Sequence, residues 1–212
     1  MNLVEMAPNE TSLEAGGYVK GVAIGIVTQN RDPDGLCRVK VRFPWHDQPR
    51  ESYWARLAVP MAGKERGMVM IPEVDDEVLV AFEREDLRFP YVLGALWNGK
   101  DKPPLANDDG NNDRRVLQSR SHHYLLFNDG ASGFVELKKD DGKRVIFDKD
   151  GILLEDGKGN QLKIESNSGA FTLQAKRQLT IKAETVTIES SGTLDVKASG
   201  TLTLSGQLVN IN

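Results

Sequence analysis

Few residues in this chain could carry chemistry, and their spacing does not assemble a reaction. There are three histidines, His46, His122 and His123, and one cysteine, Cys37. A metal centre needs several such ligands converging on one point. Only His122 and His123 are adjacent, and they read as interface or turn residues. The single cysteine leaves no intramolecular disulfide, which fits a reducing compartment. Cys37 lies in the strand-like run "GLCRVKVRF" and reads as a buried structural thiol. The acidic run Glu73-Val74-Asp75-Asp76-Glu77 lacks calcium-loop spacing. "GKGN" (157–160) reads as a hairpin turn rather than a phosphate loop, because no helix follows it. No set of nucleophile, base and orienting group is recognisable. The expectation is therefore a protein that is not an enzyme, with no catalytic residue, metal or cofactor.

Nucleic-acid binding has one local signal. "CRVKVRFPWH" offers Arg38, Lys40 and Arg42 beside Phe43 and Trp45, the mixture of cations and stacking rings that single strands need. These cations alternate along a strand, which is the usual look of a solvated face. The net charge of −4 also argues against a protein that neutralises phosphates.

The elements around these residues are strands. The 212 residues allow one large domain or two small ones, and 39% apolar content is low for a chain built on one globular core. "MNLVEMAPNETSLEAGG" has no basic or apolar signal-peptide region, and no apolar run reaches membrane-span length. Export, if it occurs, would use another route than general secretion. Residues 1–17 read as a polar arm, disordered alone or ordered by a partner. Residues 18–98 read as a small barrel of short strands. Val22, Ile24 and Ile26 alternate, "RDPDG" turns, and Cys37, Val39 and Val41 alternate against Arg38, Lys40 and Arg42. "SYWARLAVP" and "RGMVMIP" come next, and "EVLVAFERED" with "PYVLGALWNG" reads as a hairpin. Residues 99–117, rich in Pro, Asp, Asn and Gly, read as a linker. Sustained helical periodicity is missing throughout.

From residue 118 the pattern changes. Apolar residues come in pairs two apart: Leu125/Phe127, Val135/Leu137, Val145/Phe147, Ile152/Leu154, Leu162/Ile164 and Phe171/Leu173. Then come Leu179/Ile181, Val186/Ile188, Leu194/Val196, Leu202/Leu204 and Val209/Ile211. First members lie 10, 10, 7, 10, 9, 8, 7, 8, 8 and 7 residues apart, settling near eight. Each unit is a short strand with two inward residues and a turn. One chain of such strands buries its stripe poorly, whereas three intertwined chains would close it into a shared core. A single-chain solenoid is the competing form, but it usually needs wider coils.

The barrel residues carry a resemblance. "GIVTQNRDPDGLCRVKVRFPW" (25–45) and residues 53–104 resemble the oligonucleotide/oligosaccharide-binding-like (OB-like) barrel of the VgrG family and phage baseplate assembly protein V. Trp54, Arg56, Ala62, Gly63, Pro72, Glu73, Val74, Asp76, Glu77, Val78, Pro90, Gly94, Trp97 and Asn98 match its progression. "RSHHYLLFND" (120–129) resembles the family's step from barrel into β-helix. Asp75 stands where glycine is usual, and "ERED" replaces a Gly-Asp turn. The matched pattern also reads the acidic run at 73–77 as a turn before a strand. Only a short arm precedes the barrel, so the resemblance is to the short, phage-type spike whose hub is a separate protein.

This resemblance implies an all-β fold: an N-terminal OB-like β-barrel followed by an intertwined, trimeric triple-stranded β-helix. It implies a structural homotrimeric central spike of a contractile tail or tail-like particle, made in the cytoplasm and assembled into the baseplate. The barrel would seat on a tail hub protein, a PAAR-type tip protein would cap the C-terminal end, and the needle would pierce the target cell envelope. No nucleic acid is expected as a partner. Leu179, Ile181, Val186, Ile188, Leu194, Val196, Leu202 and Leu204 (118–212 being the needle) are expected in the trimer core, and Val209 and Ile211 at the tip platform. The alternative is a single-strand nucleic-acid-binding OB module with a β-rich oligomerisation tail. A β-solenoid cytoskeletal polymer of the bactofilin type is a further competitor.

Overall fold

The computed structural model describes residues 19–45 and 51–211, and the chain divides into two compact units between Asp108 and Asp109. Apart from one 3-10 turn at Glu83–Glu85, every regular element among the described residues is a strand.

The first unit holds β1 (Val22–Gln29), β2 (Lys40–Arg42), β3 (Arg56–Leu57), β4 (Ala62–Gly63), β5 (Arg66–Gly67), β6 (Glu77–Phe82) and β7 (Pro90–Leu96). Five of them form one OB-like sheet in the order β2-β1-β6-β7-β3, while β4 and β5 make a separate small hairpin. The sheet is antiparallel except where β3 runs parallel to β7. Its core is Val27, Val39, Val41, Ala55, Val78, Val80, Phe82 and Val92. β-Branched valines dominate because they pack well on a pleated half-buried surface.

Two local expectations change. In β1 the buried residues are Gly25 and Val27, while Val22 and Ile24 face outward. Val41 and Val80 fill the space where a Gly25 side chain would stand, with carbons 3.2 Å from its hypothetical Cβ. The inward phase of the strand is thus marked by the residue with no side chain. Cys37 is exposed, not buried. The turn after β1 continues past it, because the Asp32 carboxylate accepts the backbone N–H groups of Asp34, Leu36 and Arg38 at 3.1–3.3 Å. Cys37 therefore has φ 56°, a left-handed turn conformation, and the alternation starts only at Val39. Asp75 also has positive φ, 75°. That explains why glycine is usual there and why aspartate, which tolerates this region, replaces it. The acidic run is a turn: Asp76 Oδ2 accepts the Glu73 N–H at 2.8 Å just before β6.

The second unit is a seven-stranded antiparallel meander. Its strands are β8 (Arg114–Gln118), β9 (Tyr124–Asn128), β10 (Phe134–Lys138), β11 (Arg144–Asp148), β12 (Gly151–Glu155), β13 (Gln161–Glu165) and β14 (Ala170–Gln174), each paired with the next. β8 begins inside the stretch read as a linker. "GKGN" is the turn from β12 to β13, held by the Asp156 carboxylate accepting from the N–H groups of Lys158 and Asn160. Residues 175–211 contain no strand and are exposed throughout.

Candidate functional site

The meander turns six irregularly spaced apolar pairs into two straight ladders. Antiparallel register sets Leu117, Leu125, Leu137, Val145, Leu154, Leu162 and Leu173 side by side across all seven strands. It does the same for Phe127, Val135, Phe147, Ile152, Ile164 and Phe171 across six. The spacing varies only because the turns differ in length. Side chains two apart share a face, so both ladders lie on one side of the sheet.

That side is bare. Phe127, Leu137, Phe147, Leu154, Phe171 and Leu173 are each 44–62% exposed. A trough of about 910 Å³ runs over Leu137, Val145, Leu154, Leu162 and Leu173. A continuous apolar surface across seven strands exceeds what a monomeric protein ordinarily leaves in water.

The opposite side is mixed and satisfied. Glu136, only 6% exposed, accepts a 2.7 Å hydrogen bond from the Tyr124 hydroxyl, and Arg144 reaches both Glu136 at 3.3 Å and Glu155 at 2.7 Å. Burial, with help from the Glu136 hydrogen bond, pushes the Tyr124 phenol up to about 12. The bonds to Glu155 and Glu136 raise the Arg144 guanidinium. No buried side-chain polar atom lacks a partner among the described residues. Of the two faces, the one with unmet physical demand is apolar.

The expected trimer-core residues fall in residues 175–211. Leu179, Ile181, Val186, Ile188, Leu194, Val196, Leu202 and Leu204 are 53–68% exposed, and Val209 and Ile211 are exposed as well. Within the chain nothing brings them together. The signal missed in the sequence was register: the earlier, less regular pairs make the larger assembled surface.

The residues first weighed for chemistry lie apart. His46 is outside the described residues. His122 sits with φ 60° in the turn between β8 and β9, and His123 lies 3.4 Å from Asp140. Among the described residues no group of three histidine, cysteine or acidic side chains is placed to hold a metal. On the barrel, Arg38 is clamped by Asp32 at 2.8 Å and Asp34 at 2.5 Å, and Lys40 by Glu51 at 3.2 Å. The Arg38 hydrogen bonds hold the Asp32 carboxyl well below the usual range. Both cations also lie over Trp54, at 5.9 and 5.3 Å. They are already neutralised, which leaves little of a basic stacking groove.

Residues 23–97, the five-stranded sheet with its small hairpin, match the type VI secretion system/phage-baseplate injector OB domain. The spike protein VgrG3 of Vibrio cholerae is 32% identical over 45% of the chain. Through its barrel the chain is similar to VgrG-type baseplate and spike proteins. The chain is also 35% identical to the spike protein VgrG1c of Pseudomonas aeruginosa over 42% of its length. It is 28% identical to the actin cross-linking toxin VgrG1 of V. cholerae over 82%. That last alignment reaches beyond the barrel into the meander unit. The chain spans only 10%, 13% and 18% of VgrG3, VgrG1c and VgrG1 respectively. None of its described helical segments is long and apolar enough to cross a membrane.

Proposed function

We propose that the protein is a structural, non-enzymatic subunit of the central spike of a contractile tail or tail-like particle, working as a homotrimer. One observation carries this reading: the meander leaves a two-ladder apolar face uncovered while the other face is internally satisfied. Three such faces turned toward one axis would form a prism with a dry core. Each fully buried Leu or Phe contributes about 1.5–3 kcal/mol. Residues 175–211 add a second need. Their apolar alternation calls for strand neighbours, and backbone N–H and C=O groups seek ladder partners. Two other copies of the chain can supply both, giving an intertwined needle with Leu179, Ile181, Val186, Ile188, Leu194, Val196, Leu202 and Leu204 inside.

In this reading residues 1–17 are an arm, 18–98 the barrel that seats on the tail hub, and the part after the connector a needle. Val209 and Ile211 offer an apolar platform for a small tip protein of the PAAR type. The work is mechanical: the needle transmits axial force to the target envelope, and separating three chains makes unfolding slow. The test is the solution mass of the full chain by light scattering. The expected value is three times 23.5 kDa. A monomer at micromolar concentration overturns the reading.

A further inference from the structure

The small hairpin of the barrel unit collects sulfur. Three of the chain's five methionines, Met61, Met68 and Met70, fall within one stretch of ten residues. All three line a groove of about 700 Å³ beside the hairpin, and none belongs to the barrel core. Met61 and Met68 are held together. Ala62 pairs with Gly67 and Gly63 with Arg66, which sets Met61 opposite Met68, and the Met68 N–H donates to the Met61 carbonyl at 3.0 Å. Directly opposed residues share a face, with Cβ atoms about 5 Å apart. A Cβ on Gly67 (φ 153°) would stand 2.8 Å from that carbonyl oxygen, so the close approach rests on glycine. Met68, Val69 and Met70 then alternate in exposure at 43%, 72% and 51%. That is the pattern of an extended segment, which turns Met68 and Met70 the same way. Cys37, in the loop between β1 and β2, is exposed and lines the same groove.

Four sulfur-bearing side chains therefore border one groove, and among the described residues no carboxylate or imidazole lines it. Thioether and thiolate are soft ligands that select Cu(I), whereas magnesium and calcium ask for oxygen and Cu(II) for imidazole or oxygen. Charge points the same way. Arg38, Arg56 and Arg66 line the groove as well. Arg38 is paired with Asp32 and Asp34, and Arg56 lies over the Tyr91 ring at 5.5 Å. Arg66 runs along Gly63, its Nε 2.9 Å from where a Cβ would stand. Repulsion by these cations grows with the charge of the ion, so a monovalent ion is disfavoured least. Methionine is unbranched and adaptable, which suits side chains that must gather on an ion from a shallow surface. We propose that Met61, Met68, Met70 and Cys37 form a Cu(I) site. On binding, the Cys37 thiol gives its proton to solvent and its sulfur takes the metal, with no change of oxidation state. The ion ties a two-stranded hairpin, marginal by itself, to the loop after β1. It is a staple on the barrel surface, separate from the apolar ladders of the meander.

The test titrates the full chain with Cu(I), kept reduced by ascorbate under nitrogen, against ferrozine, whose absorbance reports the copper it retains. The parent withdraws one Cu(I) per chain. M61L/M68L/M70L conserves side-chain volume and spares the fold. It weakens Cu(I) binding about a hundredfold, and C37S weakens it about tenfold. Ag(I), a redox-inert probe of the same softness, raises the barrel's thermal midpoint in the parent and not in the triple variant. Zn(II) at equal concentration does not displace the copper. A parent that takes no copper from ferrozine overturns the proposal. So does a triple leucine variant that binds like the parent, because the thiol alone or another site then holds the metal. Solution mass measured alongside keeps the two readings apart: a monomer that binds Cu(I) defeats the trimeric spike and leaves this site standing.

Discussion

The two units make opposite use of similar residues. The barrel closes on itself, and all eight buried apolar residues of the described chain lie within it. The second unit is rich in Leu, Ile, Val and Phe, yet among its described residues only Glu136 and Gly151 are buried. One unit has its solvent-excluded core within a single chain. The other has its apolar face fully arranged and lacks what covers it. Similar hydrophobic content thus yields a closed core in one case and an uncovered face in the other, and the difference is closure. A sheet that adds β3 beside β7 and bridges Val39 to Ala55 encloses its inner face, whereas a simple meander keeps two open faces.

The contrast between the units breaks most readily at the bare face. Replacing Phe147 and Leu154 together by glutamate puts two charges where three faces should meet. The expected result is a threefold loss of mass in light scattering, with barrel signals intact. Val27→Ala in the barrel core is the counterpart: about 2 kcal/mol of lost barrel stability and no change of mass. If the charged double variant keeps the mass of the parent, the face is not the interface.

A smaller effect tests whether the meander is a folded unit in its own right. A Cβ at Gly151, whose φ is 146°, would fall 1.9 Å from the Ile164 carbonyl oxygen, inside the β12–β13 pairing. Gly151→Ala should cost about 3 kcal/mol or more, since the obstacle is backbone in a region L-residues rarely adopt. Denaturant melts followed separately for the two units would locate the loss in the meander and leave the barrel midpoint unchanged.

The smallest effect reads the satisfied face. Unfolded tyrosine loses its proton near 10, whereas Tyr124 in the fold holds its proton up to about 12. Between those values the unfolded chain has released a proton that the folded chain keeps, so stability falls as pH rises through that window. The loss approaches about 2–3 kcal/mol by pH 12. Tyr124→Phe should remove that alkaline slope, and the measurement is the stability difference between the two proteins across pH 9–12.

How legible all this was depended on the range of each interaction. The β6–β7 hairpin, the turn at 157–160 and the exclusion of helix could be read directly, because turn residues and period-two alternation are local. The inward phase of β1 could not, since Gly25 leaves no hydrophobic mark and its space is filled by Val41 and Val80 from neighbouring strands. Cys37 misled for a related reason. Its place in the alternation depends on where the preceding turn ends, and the Asp32 carboxylate decides that.

By itself the sequence determined that the chain is all-β, that a barrel is followed by paired apolar positions, and that those pairs share a strand face. These follow from backbone geometry, in which side chains two apart point the same way. Only the tertiary structure decided which pairs find neighbours within the chain. The irregular pairs before residue 175 align into two ladders, because antiparallel turns of differing length absorb their uneven spacing. The more regular pairs after it find no strand partner in the same chain. Periodicity belongs to a strand, whereas partnership depends on which other strands the fold brings alongside.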